Sequence, residues 1–395
     1  MDLTRERALE LLRAHVKNEK MISDAKLIIE NGRFRRVGSN INIPNNVEVF
    51  DLKGQTVVPG IIDAHIHSLS DASNDPHQQR ENENDASTII KAEHALQKAL
   101  KSGITYVRDL GGYNYYDIGL REAEQKGLLK GPRMQVAGKL ITMTGGHGYR
   151  MGREADGTGD VRKAAREQLK AGVDVVKIMA TGGVMTEGVE PGSPQFSLKE
   201  MRVAIEEAHK AGKKTASHAQ GTKGIQNAIK AGIDSIEHGI FLDKKTVEMM
   251  IKRGTFLVAT LVAPYWIVEY GVENGIPAYA VEKAKKVINA HHASFKLAHQ
   301  NGVKIAMGTD AGTPFNKHGK NTYELKLIVK AGMSPMKAIK AATLGGAELL
   351  GIKEEYGSIE EGKYADMVVI KGDPHENIED IFEVVDVYKS GEKVM

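Results

Sequence analysis

At 395 residues, 41% of them hydrophobic, the chain can bury a large core, as two domains or as one barrel with an accessory domain. A net charge of +3 with both signs interspersed argues against nucleic acid or an anionic membrane as a partner, and no apolar run approaches membrane-spanning length. There is no cysteine, so disulfides and thiolate chemistry are excluded and any metal must be held by His, Lys, Asp or Glu. The first residues carry no apolar leader, so a cytoplasmic protein is expected.

Residues 4–19 carry apolar side chains at Ala8, Leu12 and Val16, a spacing that predicts an amphipathic helix. The stretches Ala25–Glu30 and Phe34–Val37 around Asn31-Gly32 predict a hairpin, and short strands follow at Val47–Asp51 and Gln55–Val58. The far end returns to this style, with strands at Ala365–Ile370, Val384–Lys389 and Lys393–Met395. Strand-rich segments at both ends predict one small β-sandwich-like domain built from residues 1–57 and 358–395.

The middle alternates. Apolar β-type stretches at Val57–Ile62, Ile104–Arg108, Met134–Ala137, Val173–Ile178, Lys214–Ser217, Ile233–Ile236, Phe256–Thr260 and Val303–Met307 are separated by helical patterns. Those patterns cover 86–101, 115–126, 160–171, 197–211, 222–231, 243–252, 278–301 and 322–350, the last broken near Ser334-Pro335. Glycines 103, 127, 172, 212, 232 and 302 stand where helices should end. Eight such units predict a (β/α)8 TIM barrel over residues 58–357. No Gly-rich phosphate turn follows a strand, which disfavours a doubly wound sheet.

Working residues of such barrels lie at the carboxyl ends of strands. The first strand delivers His65 and His67, whose i, i+2 spacing puts both imidazoles on one face. Lys177 interrupts the apolar fourth strand, His218 and His238 follow the fifth and sixth, and Asp310 follows the eighth. Singly, each has a plain structural use, such as a snorkelling lysine or an N-capping aspartate. Jointly, at one end of one barrel, they point to a metal site. His147 follows strand three at the same mouth, and residues 182–196, rich in Gly and Pro, are expected to form a movable loop over it. Tyr265 and Trp266, after strand seven, are candidates to line the pocket, whereas His291-His292 lies within a long helix and reads as structural or exposed.

This set resembles the amidohydrolase superfamily: His-x-His, the strand-four lysine, the two later histidines and Gly308-Thr309-Asp310. The resemblance extends to Gly357–Asp366 near the end of the chain. The segments Thr144–Gly148, Thr181–Gly183, Asp234–Gly239 and His318–Asn321 are similar to the imidazolonepropionase-like dipeptidase and prolidase branch. Members normally open with a β-strand, and the helical pattern of residues 4–19 departs from that. The resemblance implies a site of two divalent metal ions, zinc above all, with His65, His67 and Asp310 on one and His218 and His238 on the other. It further implies that Lys177, carbamylated by CO2, bridges them, that Asp310 moves the proton and that His147 contacts substrate. The expected reaction is amide hydrolysis of a dipeptide (Xaa-Pro or Xaa-Arg/Lys type) or an N-acyl amino acid, in a homo-oligomer. Cyclic amide, lactone or ester hydrolysis is the alternative, ahead of a non-catalytic scaffold. Lys317, His318 and Lys320, in the loop after strand eight, would add donors for a substrate carboxylate.

Overall fold

The computed structural model describes residues 7–16, 20–45 and 47–394. The middle of the chain is a TIM barrel. Its first strands, Ile61–Ile66, Ile104–Asp109 and Arg133–Val136, pair in parallel. The third continues, after a break at Ala137–Lys139, as Leu140–Thr142. That second piece joins a parallel run of Val175–Met179, Lys214–Ala219, Ser235–His238 and Phe256–Val258. These strands are buried along nearly their whole length, which explains why they read as continuous apolar runs rather than alternating ones. All six glycines expected to end helices take left-handed backbone, φ +69° to +102°. That conformation reverses the chain from helix back to strand at no steric cost.

The eighth strand differs from expectation. Residues 303–307 form an isolated bridge at Leu257–Ile305 rather than a ladder. They still close the barrel, through Leu257 N–H to Lys304 O (2.8 Å) and Ala64 N–H to Met307 O (2.9 Å). The Met307 N–H turns instead to Ala341 O, in the π-helical turn Ala341–Gly345 that continues the helix Pro335–Lys340. Two further helices, Pro76–Glu81 and Val262–Tyr270, escaped the sequence reading. No helix among the described residues is long and apolar enough to cross a membrane.

Strands from both chain ends share one sheet. Its order is Glu392–Lys393, Val384–Lys389, Met367–Lys371, Glu48–Pro59, Arg7–Val16, Lys26–Glu30 and Arg33–Gly38, with Lys20–Ser23 beside Arg7–Val16. The helix expected over residues 4–19 is therefore corrected: Arg7–Val16 is a strand, parallel to Glu48–Pro59 and antiparallel to Lys26–Glu30. Residues 4–6 and 17–19 of that expectation lie outside the described residues, as does Met395 of the last expected strand. Pairing on both sides overrides the helical spacing, because backbone bonds to two neighbours outweigh a weak local preference.

The first barrel strand also needs correction. The expected stretch Val57–Ile62 straddles a change of sheet at Gly60, whose N–H bonds Asp366 O at 2.8 Å while Ile61 N–H turns to Gly103 O. Alternation along the outer strands serves two cores. Met367, Val369 and Val57 pack with Leu27 and Phe34 on the sheet's own face, whereas Val368, Ile370 and Val58 join the barrel core.

Candidate metal centre and active site

The carboxyl ends of the barrel strands bring His65, His67, His147, Lys177, His218, His238 and Asp310 to the wall of one cavity. The rings form a chain, with centroid separations of 5.4 Å for His67–His65, 5.3 Å for His65–His238, 4.5 Å for His238–His218 and 4.3 Å for His218–His147. Single ring nitrogens of His65 and His238 and an oxygen of Asp310 lie within 4.8 Å of one another. His238 and Asp310 hold φ of +71° and +59°, a conformation uncommon outside glycine that clusters at working sites.

Each imidazole is oriented from behind. The His65 Nδ1–H donates to Glu237 Oε2 (2.9 Å), the His67 Nδ1–H to Gly111 O (2.8 Å) and the His238 Nδ1–H to Thr260 Oγ1 (2.7 Å). The Thr260 hydroxyl is committed to Ala259 O, so it must accept from His238. His218 is reversed, its Nε2–H donating to Gly182 O at 3.3 Å and leaving Nδ1 free. His65 Nε2 and His67 Nε2 then present lone pairs to the same Asp310 Oδ1, at 3.3 and 3.2 Å. Three acceptors facing one another need a cation between them, and imidazole backed by carboxylate or carbonyl is the usual metal-ligand arrangement. The donor set therefore fits a divalent metal.

Electrostatics agree. Burial, with neighbouring histidines and Lys177, holds His218 and His238 well below the usual imidazole range, and His147 is pushed down to about 3, so these three imidazoles are neutral. Burial should raise Asp310, yet His65 and His67 beside it hold its carboxyl well below the ordinary value. Burial would lower His67, but Asp310 beside it draws it upward, as a spot that favours positive charge should. Lys177, 1% exposed, is lowered from 10.5 to about 8 by burial. That shift corresponds to roughly 3 kcal/mol against the ammonium form.

Residues 56–394 match the family profile described as Amidohydrolase family. The chain belongs to this family. Amidohydrolases are metal-dependent hydrolases, and the relatives place this one among enzymes acting on C–N bonds. It is 30% identical over 406 aligned positions to an ochratoxinase of Aspergillus niger, covering 94% of this chain and 82% of the relative. Among solved structures it superimposes on a Xaa-Pro dipeptidase with methionine bound in its active site, with a TM-score of 0.92 and 34% identity over 98% of this chain and 99% of that one. A prolidase complexed with N-methylphosphonate-L-proline gives a TM-score of 0.92 at 28% identity, with the same coverage of both chains.

Several residues of this amidohydrolase lie where sequence reasoning did not place them. Tyr265 does not face the cavity; it turns outward to Tyr323, hydroxyl to hydroxyl at 3.2 Å, while Ala263, Pro264 and Ile267 of the same helix line the wall. Helical geometry explains this, since a strand-end reading gives no account of which side a following helix presents. His318 is buried behind the site, its Nε2 bonding His67 O at 3.2 Å, and it backs His67 instead of lining the cavity. Lys317 and Lys320 are exposed on an outer groove beside Lys98 and Lys101. His291, expected to be structural or exposed, is buried, lines the cavity and bonds His238 O at 3.0 Å.

Sequence reasoning missed the pair behind His65. Glu237 receives Arg108 Nη2 (3.0 Å) and the Ser235 hydroxyl (2.5 Å) on Oε1, and Arg108 Nε also bonds Ala64 O (2.6 Å). The signal was there: one acid and one base, each embedded in an apolar barrel strand, must meet if both are buried. Asp63 does similar service between strands one and eight, accepting from Thr309 Oγ1 (2.6 Å) and Asn321 Nδ2 (2.7 Å). Burial raises it to about 6.

Proposed function

We propose that this amidohydrolase cleaves an amide bond on two divalent metal ions, in a dipeptide or N-acyl amino acid with a bulky apolar group. The carrying observation is the convergence of imidazole lone pairs on Asp310, with Lys177 buried beside them. His65, His67 and Asp310 would hold one ion, His218 and His238 the other, with zinc as the expected metal. Lys177 would join them as a carbamate, since burial raises the share of neutral amine able to take up CO2 with loss of a proton. When bound, the ions polarise the amide carbonyl and make water nucleophilic near neutral pH.

In this reading Asp310 takes the proton from the attacking water and delivers it to the leaving nitrogen. His147 donates to the carbonyl oxygen. Its Nδ1 lies 2.8 Å from Thr186 Oγ1, which also accepts Gly148 N–H at 3.3 Å; in this reading the Thr186 hydroxyl donates to Nδ1 and the imidazole proton resides on Nε2. Gly183 gives the ring its room, because a Cβ there would stand 2.4 Å from His147 Nε2. Met179, Val184, Met185, Ile240 and Ile267 make an apolar wall, which supports a bulky apolar substrate group. The names of the dipeptidase, prolidase and ochratoxinase relatives support an amide.

One observation favours a second reading, hydrolysis of a neutral cyclic amide or lactone. Lys177 is the only lysine or arginine among the described cavity-lining residues, so a substrate carboxylate finds no free cation there. A substrate series on the metal-loaded enzyme decides between them: an apolar dipeptide, its C-terminal amide, an N-acyl amino acid and a lactone of similar bulk. Amide cleavage that chelation abolishes is expected, with Asp310→Asn retaining metal and losing turnover by roughly 10²- to 10⁴-fold. Turnover of the lactone alone would establish the second reading.

A further inference from the structure

The loop over the cavity is pinned at its two ends by backbone bonds: Gly182 N–H to Ser193 O, Gly192 N–H to Gly182 O, and Gln195 N–H to Ala180 O, all 2.9–3.0 Å. Between those ends, Val184 and Met185 face the cavity and Thr186 supplies the hydroxyl at His147 Nδ1. The carbonyls of Met185, Thr186 and Val189 in this stretch are held from one helix, Ala278–Gln300. Lys283 Nζ donates to Thr186 O (2.7 Å) and Val189 O (2.6 Å), and the Tyr279 hydroxyl reaches Met185 O at 3.4 Å. Lys283 is half-buried, and its ammonium stands 5.5 Å from the centre of the Tyr279 ring.

We infer that Lys283 is a positioning residue: it latches the 184–190 stretch and, through Thr186, fixes the position and tautomer of His147. Two of its three ammonium donors are committed to loop carbonyls, and bonds from an ionised donor are roughly twice as strong as neutral ones. Without them the Thr186 carbonyl loses its anchor. The hydroxyl on the same residue then no longer holds a fixed line to His147 Nδ1, and the Nε2–H donor loses its aim. The same release would let Val184 and Met185 swing from the apolar wall. One lysine, outside the cavity lining, thereby controls both a polar contact and part of the specificity wall. This rests on the proposed role of His147.

The test is a double-mutant cycle on the metal-loaded enzyme with an apolar amide substrate. Lys283→Met keeps the aliphatic stem and removes the donors; Lys283→Arg keeps donors. In the otherwise wild-type enzyme Lys283→Met is expected to lower kcat/KM roughly ten- to a hundredfold, with metal content unchanged and most activity restored by Lys283→Arg. In a His147→Ala background the same substitution is expected to cost less than about threefold. An equal loss in both backgrounds would overturn the inference, because the lysine would then act elsewhere. Should His147→Ala itself be silent, the role given to His147 falls and the path through it falls with it. Hydrogen exchange of the 184–190 amides then decides the latch: faster exchange in Lys283→Met supports it, and unchanged protection removes it.

Discussion

The barrel mouth and the outer flank of the eighth unit are built from the same residue types, lysine and histidine, and behave oppositely. At the mouth, Lys177 is sealed in an apolar strand and burial brings its ammonium down to about 8. On the flank, Lys98, Lys101, Lys317 and Lys320 stand exposed around an open groove, and Lys320 rests 5.8 Å from the centre of the Trp266 ring. The histidines divide the same way. His65, His67 and His238 turn one nitrogen towards the cavity because the other is tied down behind, whereas His318 spends Nε2 on the carbonyl of His67 and lies outside the cavity wall. Chemistry here follows the loss of water and the fixing of one ring nitrogen, not residue type.

The largest effect that would test this contrast is at Lys177. Lys177→Ala should lose most bound metal and at least on the order of a thousandfold in kcat/KM, with partial recovery in short carboxylic acids. Full metal occupancy in that variant, measured by elemental analysis, would break the comparison. A pH sign follows from the same group. The neutral amine takes up CO2, so metal uptake by apoprotein held under a fixed CO2 pressure should quicken as pH rises towards about 8 and level off above it.

Next in size comes Glu237→Gln. It keeps the shape but removes the charge that His65 Nδ1–H and Arg108 both use. Metal affinity should fall roughly ten- to a hundredfold. The protein should also melt earlier, because the Arg108 charge is left buried without its partner. Equilibrium metal titration and a melting curve read both; unchanged affinity would show that the carboxylate does not orient the ligand.

The smallest effect is expected on the flank. Lys317→Ala and Lys320→Ala should leave kcat/KM within about twofold and stability within about 0.5 kcal/mol. A tenfold loss on a carboxylate-bearing substrate, but not on its amide, would return those lysines to the site and erase the contrast.

The ligand-type residues of the mouth were legible because strand ends are. An apolar run stopped by His65-Ile66-His67, by His218 or by His238 states both the element and the end at which its side chains gather. What failed was whatever depends on partners distant in sequence. Arg7–Val16 has helical spacing, and only the strands on either side of it make it extended. Residues 303–307 look like their sister strands, but a π-helical turn takes one of their N–H groups. Glu237 and Arg108 were passed over because each looked like an isolated charge; their meaning appears only as a pair. Tyr265 and His318 were placed by proximity in sequence to strand ends, and side-chain direction within a helix or loop does not follow from that.

The sheet shared by the two chain ends has a consequence for how the protein is made. The strand Glu48–Pro59 feeds directly into the strand carrying His65, and one of its neighbours is Met367–Lys371. A ribosome adding roughly 5–20 residues per second needs on the order of 15–60 s to deliver that partner. Throughout that interval one edge of Glu48–Pro59 is open to pairing with another nascent chain. The scaffold beneath His65 is therefore completed only once Met367–Lys371 has been made, and yield in a recombinant host should respond to slowed initiation or lowered temperature more than to added metal.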